Sequence, residues 1–90
     1  MKQKQAPYRV QKTKEFDEQV EALTGLYPRI EEVIKGIVWA LEKDPRRYVK
    51  LPGDYYQYNY KSISQDHFPD VAVLYRVLAD DAKVILMAIE

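Results

Sequence analysis

Residues 71–89 read VAVLYRVLADDAKVILMAI, and this stretch decides the fold. It predicts an apolar strand over 71–78, a turn at 80–81 and a final strand over 83–89, because two apolar runs flank a short acidic break. Two consecutive strands joined by so short a turn pair antiparallel. The C-terminal part of the chain is therefore predicted to be a β-hairpin.

A further strand is predicted just before this hairpin. Residues 55–60 read YYQYNY, and strand alternation places Tyr56, Tyr58 and Tyr60 on one face. The segment LPGD at 51–54 is a turn signal, and the polar residues 62–69 predict a loop. The three strands form an antiparallel meander.

N-terminal to the meander, the apolar spacing changes from that of a strand to that of a helix. A first helix is predicted from Glu15, with its apolar stripe formed by Phe16, Val20, Leu23 and Tyr27. A second helix follows with Pro28 in its first turn and ends at Asp44-Pro45. Its broad apolar face consists of Ile30, Val33, Ile34, Ile37, Val38 and Leu41, with Trp39 at the margin of that face. So short a join predicts an antiparallel helix hairpin.

Residues 8–13 alternate apolar and polar side chains and predict a short first strand, whereas residues 1–7 are predicted to be a flexible arm. The predicted fold is a single α+β domain over 1–90 in the order β-α-α-β-β-β. The helix hairpin packs on one face of a small, mostly antiparallel sheet, because its apolar stripes cannot remain in water.

Composition excludes several classes of protein. The 90 residues include no cysteine, which excludes a disulfide framework and a thiolate metal site. No apolar run approaches the roughly 20 residues that span a bilayer, so we expect no membrane association and a cytoplasmic location. No motif for a cofactor is present either, and none is expected. His67 with Asp66 and Asp70 is a weak metal signal, and no metal is predicted.

The net charge is zero, but the charges are segregated along the chain. Residues 1–14 carry five basic side chains and no acid, whereas residues 15–44 carry eight acids against three bases. Residues 45–61 are basic again. Such segregation fits a basic face for nucleic acid and an acidic helical face, and it also fits a chance distribution of surface charges.

Two sets of side chains are candidates for a functional site. Arg46, Arg47, Lys50 and Lys61 form a predicted basic patch that would contact phosphate, although cations also favour the C-terminal end of a helix. Tyr56, Tyr58 and Tyr60 could stack on nucleotides, and the alternative is that their common face belongs to the core.

The order of the elements resembles the RelE/ParE toxin superfamily of type II toxin–antitoxin systems. The resemblance rests on the helix end at Asp44-Pro45, on Lys50-Leu51-Pro52-Gly53 and on the terminal hairpin with Val73-Leu74-Tyr75-Arg76-Val77. Toxins of this family usually continue past the last strand into a basic tail, whereas this sequence ends at Glu90. It is thus expected to be a divergent member without that catalytic tail.

The resemblance implies a toxin that a cognate antitoxin neutralises and that cuts messenger RNA on the ribosome or inhibits DNA gyrase. If the chain is an enzyme, it is expected to be an endoribonuclease without a metal. The resemblance then implies Lys50 and Lys61 for phosphate charge, Tyr58 or Tyr60 for stacking or proton donation, and Arg46 and Arg47 with Lys50 for RNA binding. The alternative is a catalytically inactive protein-binding module or a homodimer.

Overall fold

The structure of the chain, a computed structural model, describes residues 8–61 and 70–90. The predicted arm at 1–7 and the predicted loop at 62–69 lie outside the described residues. The elements are β1 (Arg9–Lys12), α1 (Lys14–Leu26), α2 (Ile30–Lys43), β2 (Val49–Lys50), β3 (Tyr55–Tyr60), β4 (Val71–Leu78), a 3₁₀ turn (Ala79–Asp81) and β5 (Lys83–Ile89). The predicted order is confirmed, with the short strand β2 in addition.

The strands form one sheet in the order β1-β5-β4-β3-β2. The first strand runs parallel to the last, and every other pairing is antiparallel. This architecture confirms the predicted α+β class and the mostly antiparallel sheet. The unpredicted β2 pairs with β3, and a turn joins the two strands. In this turn Gly53 has a φ of 77°, a left-handed conformation that glycine adopts without strain.

Thr13 joins β1 to α1 and both of them to β5. Its hydroxyl oxygen accepts a hydrogen bond from the Phe16 backbone N–H at 3.1 Å, which caps the first turn of α1. The same hydroxyl donates to the Leu86 carbonyl at 3.0 Å. The start of the helix is therefore fixed to the last strand of the sheet.

The second helix begins later than the sequence predicted. Pro28 was expected in its first turn, but Pro28 and Arg29 form the turn between the helices, and α2 starts at Ile30. Its predicted apolar face is confirmed, with Val38 half-buried and the following residues buried: Ile30, Val33, Ile34, Ile37 and Leu41. Trp39 is 62% exposed, more than a marginal core position would be.

The core lies between the helix hairpin and one face of the sheet. In β4 the alternation is strict, with Val71, Val73, Tyr75 and Val77 buried. Leu86 and Ile89 of β5 are both buried although they are three positions apart, since a β-bulge shifts the register opposite Leu74/Tyr75. The bulge keeps both ends of β5 in contact with the core.

The helices cover only one side of the sheet. Helix α1 packs mainly on β5, and α2 contacts α1 and β1. In the part of the chain that the structure describes, no helix covers the opposite face, which we call the open face. No helix in the described ranges is long and apolar enough to cross a membrane.

Tyr75 supports this core through its hydroxyl as well as its ring. The ring is fully buried and stacks on that of Tyr56, with the centroids 5.7 Å apart. Its hydroxyl donates to the Pro45 carbonyl at 2.5 Å, which links the end of α2 to the middle of the sheet. Burial, then the neighbouring tyrosines and Asp44, raise the pKa of Tyr75 far above its ordinary value.

We expect Tyr75→Phe to lower the free energy of unfolding by about 1–3 kcal/mol at pH 7, because the buried Pro45 carbonyl loses its donor. Wild-type stability should fall as the pH rises above the ordinary tyrosine value of 10.0, because the unfolded chain then releases a proton that the folded chain retains. The variant should lose less stability over the same pH range. Urea unfolding at pH 7 and at about pH 11 measures both effects.

Tyr55→Phe is the matched control, because the Tyr55 ring is exposed on the open face. It should change the free energy of unfolding by less than about 0.5 kcal/mol. Equal losses in the two variants would contradict a structural role for the Tyr75 hydroxyl.

Candidate nucleic-acid interface

The open face is lined by every second residue of each strand, and the pairing register fixes which residues these are. The buried positions face the helices, so their neighbours along each strand face the other way. From one edge of the sheet to the other, the open-face residues are Arg9, Gln11, Lys83, Ile85, Ala88, Ala72, Leu74, Arg76, Leu78, Tyr55, Gln57, Asn59 and Val49.

One end of the open face is basic. Arg9 pairs with Lys83 across the parallel β1–β5 ladder, so the two cationic residues are side by side. Neighbouring strands of a sheet are about 4.8 Å apart. Arg76 lies on the next strand, opposite Ile85. Three cations from three strands therefore converge at this end. Cations spaced in this way can contact successive phosphate groups of a nucleic acid.

Arg76 is held beside an exposed aromatic ring. Its guanidinium lies 5.9 Å from the centre of the Tyr55 ring, directly across β3–β4. One guanidinium nitrogen is 3.4 Å from a carboxylate oxygen of Asp54, and both side chains are about half exposed. The Nε is buried and makes no hydrogen bond within the described ranges. The pair presents a cation and a ring on one surface, an arrangement that can hold a stacked base.

Two of the predicted RNA-binding cations meet at a different place. Arg46 and Lys50 line a cleft of about 370 Å³ beside the turn before β3. Asp54, Asp80 and Asp81 line the same cleft, so acids outnumber bases there. This balance disfavours phosphate binding within the cleft.

Local bonds restrain these cations. The Lys50 ammonium donates to the carbonyls of Leu51 and Gly53, at 2.7 and 2.5 Å, and thereby braces the turn. The Arg46 guanidinium donates to the hydroxyl of Tyr8 at 3.1 Å. Arg47 is exposed in the segment between α2 and β2.

Lys61 lies at the other end of β3. It follows Tyr60 and lines a cleft of about 520 Å³ with Asn59, Asp70 and Glu90. Lys50 pairs with Tyr56, five positions before Lys61, and this separation corresponds to about 17 Å along a strand. The structure therefore does not bring the two predicted catalytic lysines together.

The predicted catalytic tyrosines face the helices. Tyr58 and Tyr60 are half-buried beside α2 and line a cleft of about 390 Å³ with Gly36 and Ile37. The Tyr58 ring lies 4.6 Å from that of Tyr48, and burial raises the pKa of Tyr58. Tyr58 and Tyr60 pack against the core, in agreement with the alternative interpretation that the tyrosine face belongs to it.

Comparison with solved structures decides the kind of fold. A chain of the RelBE2 toxin–antitoxin complex from Mycobacterium tuberculosis superposes with a TM-score of 0.70, covering 97% of this chain and 93% of that chain at 20% sequence identity. The toxin RelE from E. coli, a mutant in the free state, superposes with a TM-score of 0.66 over 92% of this chain and 81% of that chain at 17% identity. This chain has a RelE-like fold.

The likeness lies in structure and not in sequence. No protein-family model matches the chain, and no curated protein matches its sequence. The RelE-like fold was recognised from the order of the elements, which the superposition confirms. The identities of 20% and 17% carry no residue roles across. The role of each site residue therefore depends on its own surroundings.

On this RelE-like sheet, the basic end of the open face was missed in the sequence. Arg9 and Lys83 are 74 positions apart, so only the β1–β5 pairing brings them together. The outward orientation of Arg76 could have been predicted from the sequence. Every second residue of β4 is buried, namely Val73, Tyr75 and Val77, so an arginine between two of them must face outward. Of the weak metal set, His67 and Asp66 lie outside the described residues.

Lys50→Ala should lower the free energy of unfolding by about 1 kcal/mol, because the turn at 51–54 loses two charge-assisted hydrogen bonds. Lys61→Ala is the matched control and should change it by less than about 0.5 kcal/mol, since Lys61 is exposed at the end of β3. Urea unfolding of the two variants checks the difference. Equal effects would show that Lys50 has no bracing role.

Proposed function

We propose that this chain is the toxin of a type II toxin–antitoxin pair, that it acts in the cytoplasm, and that a cognate antitoxin protein neutralises it. The observation that carries the proposal is the RelE-like fold over almost the whole chain, with a TM-score of 0.70 to a chain of a toxin–antitoxin complex. Two solved structures that resemble it belong to toxin systems.

We further propose that the target is messenger RNA on the ribosome and not DNA gyrase. The basic end of the open face supports this choice, since Arg9 and Lys83 stand side by side on one surface, with Arg76 on the next strand in an ion pair with Asp54. Tyr55 adds an exposed ring beside Arg76. Charge for phosphates together with a ring for a base suits single-stranded RNA.

Among the predicted catalytic residues, Lys61 is the one that fits this surface. Lys61 lies two positions after Asn59 and four after Gln57, so it falls on the same side of the strand as these open-face residues. Its cleft is also lined by Ala72 of the same face. RNA cleavage by its own 2′-hydroxyl requires positive charge at the scissile phosphate, which an ammonium supplies without a metal. Lys50 is assigned to bracing of the turn, and Tyr58 and Tyr60 to the side of the sheet that packs on α2.

A second candidate function is a catalytically inactive protein-binding module or a homodimer on the same fold. The separation of Lys50 from Lys61 favours it, because the two lysines cannot act on one phosphate. Within the described ranges, no cluster of three His, Cys, Asp or Glu side chains could hold a metal ion instead. An experiment in cells distinguishes the two candidates.

Induction of the chain alone in a bacterial host should arrest growth and cleave messenger RNA. The double variant Arg9→Gln/Lys83→Gln should relieve the arrest and reduce cleavage at least tenfold, because it removes two phosphate-binding charges from the open face. Growth curves and primer-extension mapping of abundant transcripts measure both. Lys61→Ala should abolish cleavage while leaving RNA binding within about threefold of wild type.

The double variant Arg29→Gln/Lys43→Gln is the charge-matched control. It removes two cations from the helix hairpin, where Arg29 forms an exposed ion pair with Glu32, and it should leave the arrest unchanged. Arrest with intact messages would contradict the RNA target and direct attention to gyrase. A folded chain that causes no arrest would overturn the toxin proposal and favour the binding module.

Binding of purified chain to a single-stranded RNA should weaken as salt is added. The logarithm of the affinity should fall with the logarithm of the salt concentration, and Arg9→Gln/Lys83→Gln should flatten the slope by about 1.4, since each phosphate contact contributes about 0.7. Filter binding or fluorescence anisotropy at several salt concentrations gives the slope. A slope equal to that of Arg29→Gln/Lys43→Gln would place the RNA elsewhere.

A further inference from the structure

One cavity of the described chain lies away from the open face. It is a surface groove of about 690 Å³ between α1 and α2. Its apolar lining is Val20, Ile34, Val38 and Trp39. Only Ile34 of these is buried, so the groove leaves apolar surface in contact with water. An apolar groove between two helices is the kind of surface that binds another helix.

Trp39 is the most conspicuous part of this surface. Its side chain is 62% exposed, and the Lys43 ammonium lies over its ring at 4.7 Å from the centroid. A large indole left in water on a small domain is costly, and tryptophan is the residue type most enriched at the energetic centres of protein interfaces. The position on the groove wall thus suits an anchor for a partner.

The rim of the groove is acidic. Five carboxylates line it, namely Asp17, Glu18, Glu21, Glu31 and Glu42, against the three lysines Lys12, Lys14 and Lys35. The formal charge of the lining is therefore −2. This balance agrees with the excess of acids over residues 15–44. It repels nucleic acid and attracts a basic polypeptide.

We propose that this groove binds an amphipathic helix of a partner protein, with an apolar stripe against Val38 and Trp39 and with Lys or Arg on its flanks. The helices that form the groove have 13 and 14 residues, and they are therefore about 20 Å long. A matching partner helix has about four turns. Its flanking cations lie against the carboxylates of α1, chiefly Glu18 and Glu21.

A second copy of this chain does not meet these requirements. Its own helix hairpin carries the same excess of acids, so two hairpins would bring like charges together. A strand of a partner is also disfavoured, because helices offer no free backbone edge for strand pairing. The inference is independent of the toxin proposal, since it rests on the groove and not on the fold family or the open face.

A peptide display library tests the inference directly. The library consists of 16-residue helical peptides in which the stripe positions are apolar and the flanking positions vary among Lys, Glu and Gln. Selection on the full chain should enrich peptides with apolar residues at i, i+3, i+4 and i+7 and with Lys flanks. NMR shift changes on binding of an enriched peptide should be largest at the Trp39 indole.

Variants of the chain locate the contact. Trp39→Ala should weaken binding of the enriched peptide at least tenfold, and Glu18→Gln/Glu21→Gln should weaken it about threefold and reduce its salt dependence. Leu26→Ala is the matched control, because Leu26 is 73% exposed on α1 outside the groove, and it should change binding by less than twofold. Glu15→Gln is the corresponding control for charge.

Several results would overturn the inference. These are enrichment without regard to flank charge, enrichment of acidic flanks, or a loss of binding in Leu26→Ala as large as that in Trp39→Ala. A chain that sedimented as a dimer through Trp39 would assign the groove to a second copy instead. A negative result in the peptide selection does not contradict the toxin proposal, which the growth assay tests. A negative growth assay likewise does not contradict peptide binding in the groove.

Discussion

The parallel pairing of β1 with β5 is the constraint on which the rest of the structure depends. It places the first strand beside the last. The helix hairpin follows β1 directly along the chain, so it packs at the β1–β5 edge of the sheet. Thr13 fixes the arrangement, because its hydroxyl caps α1 and at the same time donates to Leu86 of β5. Gln19 of α1 adds a second tie, since its side-chain oxygen accepts from the Ile89 backbone N–H at 2.8 Å.

This packing separates the molecule into two surfaces of opposite character. The helix hairpin is acidic and carries the apolar groove with Trp39, whereas the open face carries Arg9, Arg76 and Lys83. The net charge of zero and the sequence pI of about 6.6 conceal this separation. The molecule thereby presents two separate surfaces, one with the charge that suits phosphate and one with the charge that suits a basic helix.

The sequence predicted most of the fold because its elements are long and strictly periodic. The stripe of α2 and the alternation of β4 each leave one interpretation. Strand β2 was not predicted, since two residues carry no period, and Pro28 was assigned to a helix that begins two positions later. Both misses fall where a short segment takes its conformation from its neighbours.

The candidate site was less predictable than the fold. The resemblance assigned Lys50 and Lys61 to phosphate charge together, yet the extended strand between them keeps them about 17 Å apart. The basic pair Arg9 and Lys83 looked unrelated because nearly the whole chain separates them. A functional surface on a sheet depends on strand order, and strand order is a long-range property that local periodicity does not contain.

The β1–β5 pairing also determines when the basic end of the open face can form. A pairing between residues 74 positions apart closes a long loop, and that closure costs conformational entropy. During synthesis β1 is made well before β5, so it stays without its neighbouring strand until β5 has also been made. Arg9 and Lys83 consequently meet only once β5 has paired with β1. The basic surface therefore requires β5, and a chain that ends before β5 does not possess it.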